Sequence, residues 1–166
     1  MVPTCGGVCC GPKEVPVNYE PKDPDFEARV RASFARQAFM ATLGARLLAV
    51  APGEVVIALP FREDLTQQHG FLHAGVATSV VDSACGYAAL TLMPPGAGVL
   101  SVEFKVNLLA PAAGERFIAT GRVVKAGRTL TVCAGEMAAE RGGNRTVVTL
   151  MQATMMTLRD RAGVAD

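Results

Sequence analysis

The chain has 166 residues, half of them hydrophobic, and its net charge is +1 at pH 7. This length can bury one core, so a single domain is expected. The balanced charge argues against nucleic acid or an anionic membrane as the main partner. The most apolar segment, residues 74–93, carries Asp82 near its centre and is a poor candidate for a membrane-spanning helix. We therefore expect a cytoplasmic protein.

The first 24 residues differ in composition from the rest of the chain. They are rich in proline, glycine and cysteine and lack the basic start and apolar core of a secretory signal. We predict an N-terminal tail over residues 1–24 and one domain over residues 25–166. Cys5, Cys9 and Cys10 fall in the tail, but their spacing lacks a second pair of ligands, so a cytosolic tail is favoured over a metal site.

The first predicted elements are a helix and a hairpin. Apolar Phe26, Val30 and Phe34 recur at i, i+4 spacing, which predicts an amphipathic helix over residues 25–43. Two short β-branched segments follow, with Pro52-Gly53 between them, which predicts a β-hairpin. The hairpin strands are expected over residues 45–50 and 54–60.

A second helix is predicted near the middle of the chain. Residues 75–93 are small or apolar on every side, as in a helix surrounded by protein. Asp82 is the only formally charged residue between Asp64 and Glu103. An ionised carboxylate is costly to bury without compensation, so Asp82 is the first candidate for chemistry. The alternative is a structural acid bonded to hydroxyls nearby on the same helix.

Alternating residues in the second half of the chain predict four more strands. The joins between them are mostly short, so we expect successive strands to pair antiparallel as a meander. One long helix wrapped by a curved antiparallel sheet accounts for the whole pattern, and the predicted fold class is α+β. The four predicted strands are residues 99–110, 115–125, 129–140 and 144–158.

The order of elements and one motif resemble the hotdog-fold thioesterases, specifically the branch related to the acyl-CoA thioesterases of the phenylacetate pathway. The motif of that family is G-x-x-H-G-G with an acidic residue nine positions after the histidine. Here it stands as Gly70-Phe71-Leu72-His73-Ala74-Gly75, with Asp82 in the acidic place. Residues 101–104, 109–112 and 125–129 add to the resemblance. It implies a hotdog fold and hydrolysis of acyl-CoA to free acid and coenzyme A, without a cofactor.

The resemblance also implies a role for each residue of the catalytic group. Asp82 would be the catalytic carboxylate, as general base or nucleophile. The backbone N–H of Ala74 and the side chain of Gln67 would polarise the thioester carbonyl. Ser101 would position the attacking water, and His73 would support the loop or touch the carbonyl. Ala74 departs from the glycine usual in the family, and Gln67 replaces an asparagine found in many relatives.

Substrate contacts are expected from an apolar pocket, from the motif and from a basic residue that could meet the phosphates of coenzyme A. The residues in this group are Phe71, Leu72, Phe104, Gly75 and Arg128. No metal site is expected. His69 and His73 have the i, i+4 spacing of zinc proteases, but Gly70 stands where those enzymes have a glutamate.

The spacing of the two main candidates predicts a shared site. Asp82 lies eight residues after Ala74, which is ~12 Å along one helix. One thioester cannot lie ~3 Å from both groups in that geometry. Two antiparallel helices across a two-fold axis would bring Ala74 of one subunit near Asp82 of the other. We expect a homodimer with its sites at the subunit interface, and the family resemblance implies a tetramer.

Two alternative functions stay open at this point. A hotdog enoyl-CoA hydratase or dehydratase pairs a histidine with an acid, as His73 and Asp82 could. A non-catalytic acyl-CoA-binding protein is the other alternative, although the 24-residue tail is too short and too weakly basic for a separate DNA-binding module.

Overall fold

The structure is a computed structural model that describes residues 18–159 and Gly163. Cys5, Cys9 and Cys10 lie outside the described residues, as does the predicted tail up to residue 17. Residues 18–24 contact the domain, since the Tyr19 hydroxyl donates to the carbonyl oxygen of Val124 at 3.1 Å. The helices and strands are α1 (Phe26–Arg36), α2 (Ala38–Leu43), β1 (Arg46–Ala51), β2 (Glu54–Pro60), α3 (Ala74–Leu90), β3 (Gly98–Leu108), β4 (Arg116–Ala126), β5 (Leu130–Arg141) and β6 (Asn144–Leu158).

The six strands form one antiparallel sheet in the order β1-β2-β4-β5-β6-β3. The predicted arrangement of one long helix against one antiparallel sheet is confirmed, because α3 packs on strands β2 to β6. The core lies between them, where α3 residues such as Val80 and Leu90 join Phe117 and Met137 from the sheet in one buried cluster.

The prediction of a four-stranded meander is wrong in one pairing. Strands β4, β5 and β6 form a meander, but β3 pairs with β6 and not with β4. The seven-residue connection after β3 is too long for a tight hairpin. It is held instead by hydrogen bonds from the Leu109 N–H to the Val148 carbonyl and from the Leu72 N–H to the Ala112 carbonyl. As a result, β3 is an edge strand.

The predicted first helix is divided in two. Gln37 has an extended backbone, with φ −78° and ψ 91°, and separates α1 from α2. No glycine or proline marks this break in the sequence. The end of α2 follows the prediction, because Gly44 adopts the left-handed conformation with φ 74° that favours glycine after a helix.

Glycines in the sheet let α3 approach closely. A Cβ atom at Gly121 would lie 2.3 Å from the backbone carbon of Ala84, and one at Gly135 would lie 2.5 Å from Cγ1 of Val81. Any larger residue at these positions would push the helix off the sheet. The small residues of α3 and these glycines therefore fix the depth of the central helix.

A buried arginine secures the far end of α3. The Arg29 guanidinium donates to the carbonyl oxygens of Leu90, Met93 and Pro94 at 2.7–2.9 Å. It also lies 3.1 Å from the Asp23 carboxylate, and both side chains are 9% exposed. Arg29 thus pairs with carbonyl groups that the helix leaves unsatisfied at its C-terminal end. Among the described residues, no helix has the length and apolar character needed to cross a membrane.

Candidate active site

His73 caps the N-terminal end of α3. Its Nδ1 accepts a hydrogen bond from the Gly75 N–H at 2.9 Å, which requires the other ring nitrogen to carry the proton in neutral imidazole. Ala74 is the first residue of the helix. The N–H of a first helical residue has no acceptor within the helix and lies at the positive end of the helix dipole. The Ala74 amide can therefore stabilise negative charge on a ligand.

The loop before α3 positions Gln67 beside Ala74. A tight turn is closed by hydrogen bonds from the Gln67 N–H to the Phe71 carbonyl and from the Gly70 N–H to the Gln67 carbonyl. Gly70 has φ 82°, a conformation that favours glycine. The Oε1 atom of Gln67 accepts from the backbone N–H of His69. This contact occupies the amide oxygen and leaves the Nε2 group of Gln67 as the donor available to a ligand.

Ala74 and Gln67 line a cavity of about 510 Å³, which we call the amide cavity. Phe71 and Leu72 line the same cavity, as do the residues that connect β3 to β4. Its walls are mainly apolar, so it can accept the hydrocarbon parts of a ligand next to the two amide donors.

Asp82 lies in the middle of α3 and opens onto a different cavity. The hydroxyl of Ser101 on β3 donates to Oδ1 of Asp82 at 2.7 Å. Burial raises the pKa of the Asp82 carboxyl above its ordinary value of 3.8, and the Ser101 hydrogen bond opposes that rise. A half-buried carboxylate held in one orientation is suited to accept a proton or to attack a carbonyl carbon.

The cavity at Asp82 has a volume of about 300 Å³, and we call it the carboxylate cavity. Asp82 and Ser101 line it together with Ser33, Gln37 and Tyr87. The hydroxyls of Thr78 and Ser79 do not hold Asp82 in place, since they donate to the carbonyl oxygens of Ala74 and Gly75. The hydroxyl that bonds the carboxylate is that of Ser101 on β3.

The two donors and the carboxylate are separated within one chain. Ala74 and Asp82 lie on the same helix, ~12 Å apart along its axis, and they line different cavities. This agrees with the spacing argument from the sequence. One chain therefore presents two candidate half-sites, an amide half at the start of α3 and a carboxylate half at its middle.

Comparison with known proteins identifies the family. The family model described as the thioesterase superfamily matches residues 69–146. A solved thioesterase family protein from Silicibacter pomeroyi is 55% identical, with a TM-score of 0.79 over 80% of this chain and 98% of that chain. The chain belongs to the thioesterase superfamily. The resemblance stated from the motif and the predicted hotdog fold are both confirmed.

Other relatives of this thioesterase-superfamily chain are more distant. The PaaI protein of E. coli, from the phenylacetic acid degradation operon, shares the fold at 20% identity, with a TM-score of 0.73 over 85% of this chain and 96% of that chain. Human acyl-coenzyme A thioesterase 13 is 34% identical over 51% of this chain and 60% of its own length. A putative esterase from Saccharolobus solfataricus is 31% identical over 54% of this chain and 64% of its own length. The matched region thus covers less than two thirds of the length of each of these two curated relatives.

The remaining predicted residues of this thioesterase-superfamily chain lie in several places. His73 and Gly75 pair with each other at the start of α3. Phe104 is 47% exposed on β3 and lines a separate surface cavity, while Arg128 is exposed in the turn after β4. The structure brings neither Phe104 nor Arg128 into the amide cavity or the carboxylate cavity.

The sequence analysis missed three polar residues of the carboxylate cavity, which lie on α1, between α1 and α2, and on α3. Ser33, Gln37 and Tyr87 carry no motif, and the first two fell within a helix predicted only from its apolar spacing. The contact of the Ser33 and Tyr87 hydroxyl oxygens, 3.4 Å apart, depends on how α1 packs on α3. Local pattern does not carry that information.

The two described cysteines are packing residues. Cys85 and Cys133 are fully buried and form no disulfide. Burial raises the pKa of both thiols, that of Cys133 to about 12, so neither is a reactive thiolate near neutral pH. Within residues 18–159, no group of three histidine, cysteine or acidic side chains is placed to hold a metal ion.

Proposed function

We propose that this thioesterase-superfamily protein hydrolyses acyl-CoA thioesters to a free acid and coenzyme A. The observation that carries the proposal is the Asp82 carboxylate, held by Ser101, at the wall of a cavity. Two relatives are named for this kind of reaction, acyl-coenzyme A thioesterase 13 and the 1,4-dihydroxy-2-naphthoyl-CoA hydrolase of Listeria monocytogenes, which is 28% identical over 91 residues.

The two half-sites have different roles in the reaction. Asp82 takes a proton from water as the water oxygen attacks the thioester carbonyl carbon, or it attacks that carbon itself. Negative charge develops on the carbonyl oxygen, where the Ala74 N–H and the Gln67 amide group donate hydrogen bonds. The intermediate then collapses, the carbon–sulfur bond breaks and coenzyme A leaves as the thiolate. When water is the nucleophile, the proton on Asp82 passes to the thiolate. When Asp82 is the nucleophile, water then hydrolyses the mixed anhydride, which releases the acid and restores the carboxylate. Ser101 keeps the carboxylate oriented. His73 stabilises the first turn of α3 by accepting a hydrogen bond from the Gly75 N–H.

One substrate must contact both half-sites, and one chain holds them too far apart, so we propose a homodimer. Edge strand β3 carries Leu100, Val102 and Phe104, each about half exposed. An apolar edge of this kind is open to pairing with another strand. Pairing with β3 of a second copy about a two-fold axis would cover these side chains and oppose the two α3 helices. The Ala74 amide of one chain would then approach Asp82 of the other.

The remaining parts of the proposal follow from the family resemblance. Two such dimers form a tetramer in the cytoplasm. Phe71, Leu72 and Gly75 contact the substrate near the amide half-site. Phe104 and Arg128 reach the substrate only in the assembled oligomer, where Arg128 is available to the phosphates of coenzyme A as an exposed cation.

The experiment is a thiol-release assay over a panel of acyl-CoA substrates, with Asp82→Asn as the test variant. We expect loss of activity by about 100-fold or more, because the group that activates water is removed. Asp25→Asn is the control, since Asp25 is exposed and makes no side-chain capping bond. Unchanged turnover in a folded Asp82→Asn protein would refute the mechanism. Loss of enoyl absorbance without thiol release would indicate a hydratase instead.

A further inference from the structure

The wall of the carboxylate cavity contains a glycine one helical turn beyond Asp82. Gly86 lies four residues after Asp82 on α3 and lines the same cavity. Residues at this spacing are neighbours on one face of a helix, ~6 Å apart along its axis. The other residues from 83 to 93 are buried, whereas Gly86 is only partly buried. The backbone of Gly86 is therefore accessible to a ligand in the cavity.

Packing within the chain does not require glycine at position 86. A Cβ atom at Gly121 or Gly135 would collide with α3, but one at Gly86 would have no atom of the described residues within 4 Å, apart from its chain neighbours and its own helical backbone. Gly86 also has no positive φ that would favour glycine. Glycine weakens the interior of a helix relative to alanine, because it loses more backbone freedom on folding. The fold alone would be better served by alanine, so the glycine points to a use for the space beside it.

The space beside Gly86 lies where the acyl group of a bound thioester extends. To react, Asp82 must come within ~3–3.5 Å of the carbonyl carbon or of the attacking water. The acyl atoms beyond the carbonyl can then follow α3 over the ~6 Å to Gly86. A volume of about 300 Å³ is at the small end of the range for ligand sites, and it admits an acyl group but not the whole of coenzyme A. A side chain at position 86 would occupy part of this limited volume.

We infer that Gly86 is a specificity-determining residue, and that its lack of a side chain sets the size of the largest acyl group the enzyme accepts. The acyl group packs against the backbone of Gly86 while its thioester carbonyl faces Asp82. An acetyl group ends before it reaches Gly86, whereas longer or ring-bearing acyl groups contact it. This inference rests on the proposed thioesterase activity.

The test adds bulk at position 86 in two steps, Gly86→Ala and Gly86→Val. The measurement is kcat/KM for straight-chain substrates from acetyl-CoA to decanoyl-CoA and for benzoyl-CoA. We expect Gly86→Val to lose about 10-fold or more on the largest acyl groups that the wild type accepts, and to stay within about threefold of wild type on the shortest. Gly86→Ala should lose less, in the same order of substrates.

The matched control is Ala32→Val, which adds a β-branched side chain at an exposed position of α1 outside the cavity. Its substrate profile should equal that of the wild type. Calorimetric binding of non-hydrolysable thioether analogues gives the size dependence without turnover, and Gly86→Val should weaken binding of the large analogues alone.

Stability and assembly are measured on the same variants. Gly86→Ala should melt about 2–4 °C higher than the wild type, because alanine favours the helix. Sedimentation velocity should give the same oligomeric state for the wild type and both variants. A lower melting temperature or a different oligomeric state would overturn the inference, since Gly86 would then serve packing within or between chains.

The substrate profile separates failure of this inference from failure of the proposed function. If the wild type hydrolyses thioesters but Gly86→Val has an unchanged profile, or loses activity equally on every acyl group, Gly86 does not set the size of the acyl group. If the wild type hydrolyses no acyl-CoA at all, the proposed function itself is refuted.

Discussion

The Ser101 hydroxyl donates a 2.7 Å hydrogen bond to Oδ1 of Asp82 and so ties edge strand β3 to the middle of α3. Two opposing effects meet at this carboxyl. Burial raises its pKa above 3.8 by penalising the charged form, and the hydrogen bond lowers the pKa by stabilising the charged form. The proposed mechanism needs the ionised carboxylate. Activity should therefore increase with pH as Asp82 loses its proton, along an acid limb above about pH 4.

Replacing Ser101 by alanine should shift the acid limb of the pH–activity profile. Removal of the hydrogen bond leaves burial unopposed, so the pKa of Asp82 rises and the limb shifts to higher pH. The measurement is kcat/KM from about pH 4 to about pH 8. Ser79→Ala is the control, because its hydroxyl donates to the Gly75 carbonyl. A shift to lower pH, or none, would show that the Ser101 contact does not tune the catalytic acid.

The raised pKa of Asp82 should also make the free energy of unfolding depend on pH. Because the folded pKa is raised, the folded state binds the Asp82 proton more tightly than the unfolded state. The contribution of Asp82 to stability is thus lost as pH rises from about 4 through the folded pKa. Asp82→Asn should melt no lower than wild type at neutral pH.

Proline at position 74 offers a direct test of the backbone donor. Ala74→Pro deletes the N–H at the first position of α3, where proline is well tolerated. His73 already has the extended backbone, with φ −63° and ψ 136°, that a residue before proline prefers. We expect kcat/KM to fall by about 100- to 1000-fold with little change in melting temperature.

Glycine is the matched control at the same position. Ala74→Gly restores the residue usual in the family and keeps the N–H, so its activity should stay within about threefold of wild type. If proline at position 74 left kcat/KM intact, the carbonyl oxygen would not be bound by this amide, and the assignment of the amide half-site would be wrong.

Mixed dimers test whether one site uses two chains. Ala74→Pro damages the amide half-site, and Asp82→Asn damages the carboxylate half-site. A dimer with one chain of each kind holds one intact site and one doubly damaged site. Co-expressed chains that pair at random should recover about one quarter of wild-type activity, since half of the dimers are mixed and one of their two sites works.

The outcome depends on separating the mixed dimers from the two parents. Different affinity tags on the two variants allow the mixed species to be purified and its activity per dimer to be measured. Activity no higher than that of the two parent variants would mean that both half-sites serve one substrate within a single chain.

The sequence predicted the elements closely where local chemistry decides them. Strands β2 and β6 have the predicted bounds, because glycine, proline and charged turn residues delimit each alternating segment. Asp82 could be singled out because no other formal charge interrupts the apolar middle of the chain. The family resemblance singled out Ser101 as a residue that positions the attacking water, but it did not predict that the Ser101 hydroxyl bonds Asp82, 19 residues earlier in the chain.

Two features could not be predicted because they depend on tertiary contacts. Local pattern predicts β3 as a strand but gives no sign that it pairs with β6, since that pairing depends on the path of the connection after Leu108. The break at Gln37 has no glycine or proline to mark it. A helix interrupted where its own sequence favours continuation is expected at sites under functional constraint. This break lies beside Asp82 in the carboxylate cavity.

The buried ion pair at the end of α3 gives a prediction for stability. Arg29 bonds the carbonyl oxygens of Leu90, Met93 and Pro94 and lies 3.1 Å from the Asp23 carboxylate. Arg29→Ala leaves a buried charge and unpaired carbonyls, so the free energy of unfolding should fall by about 3 kcal/mol. Chemical denaturation measures it. Adding Asp23→Asn should recover part of the loss by removing the uncompensated charge.

Arg31 on the same helix is the matched control. It pairs with Glu27 at i, i+4, but the two side chains are 46% and 52% exposed. An exposed pair is screened by solvent, and Arg31→Ala should change the free energy of unfolding by about 0.5 kcal/mol or less. Equal effects of the two alanine variants would mean that Arg29 acts only as another surface cation. The far end of the helix that carries both half-sites would then be held by apolar packing alone.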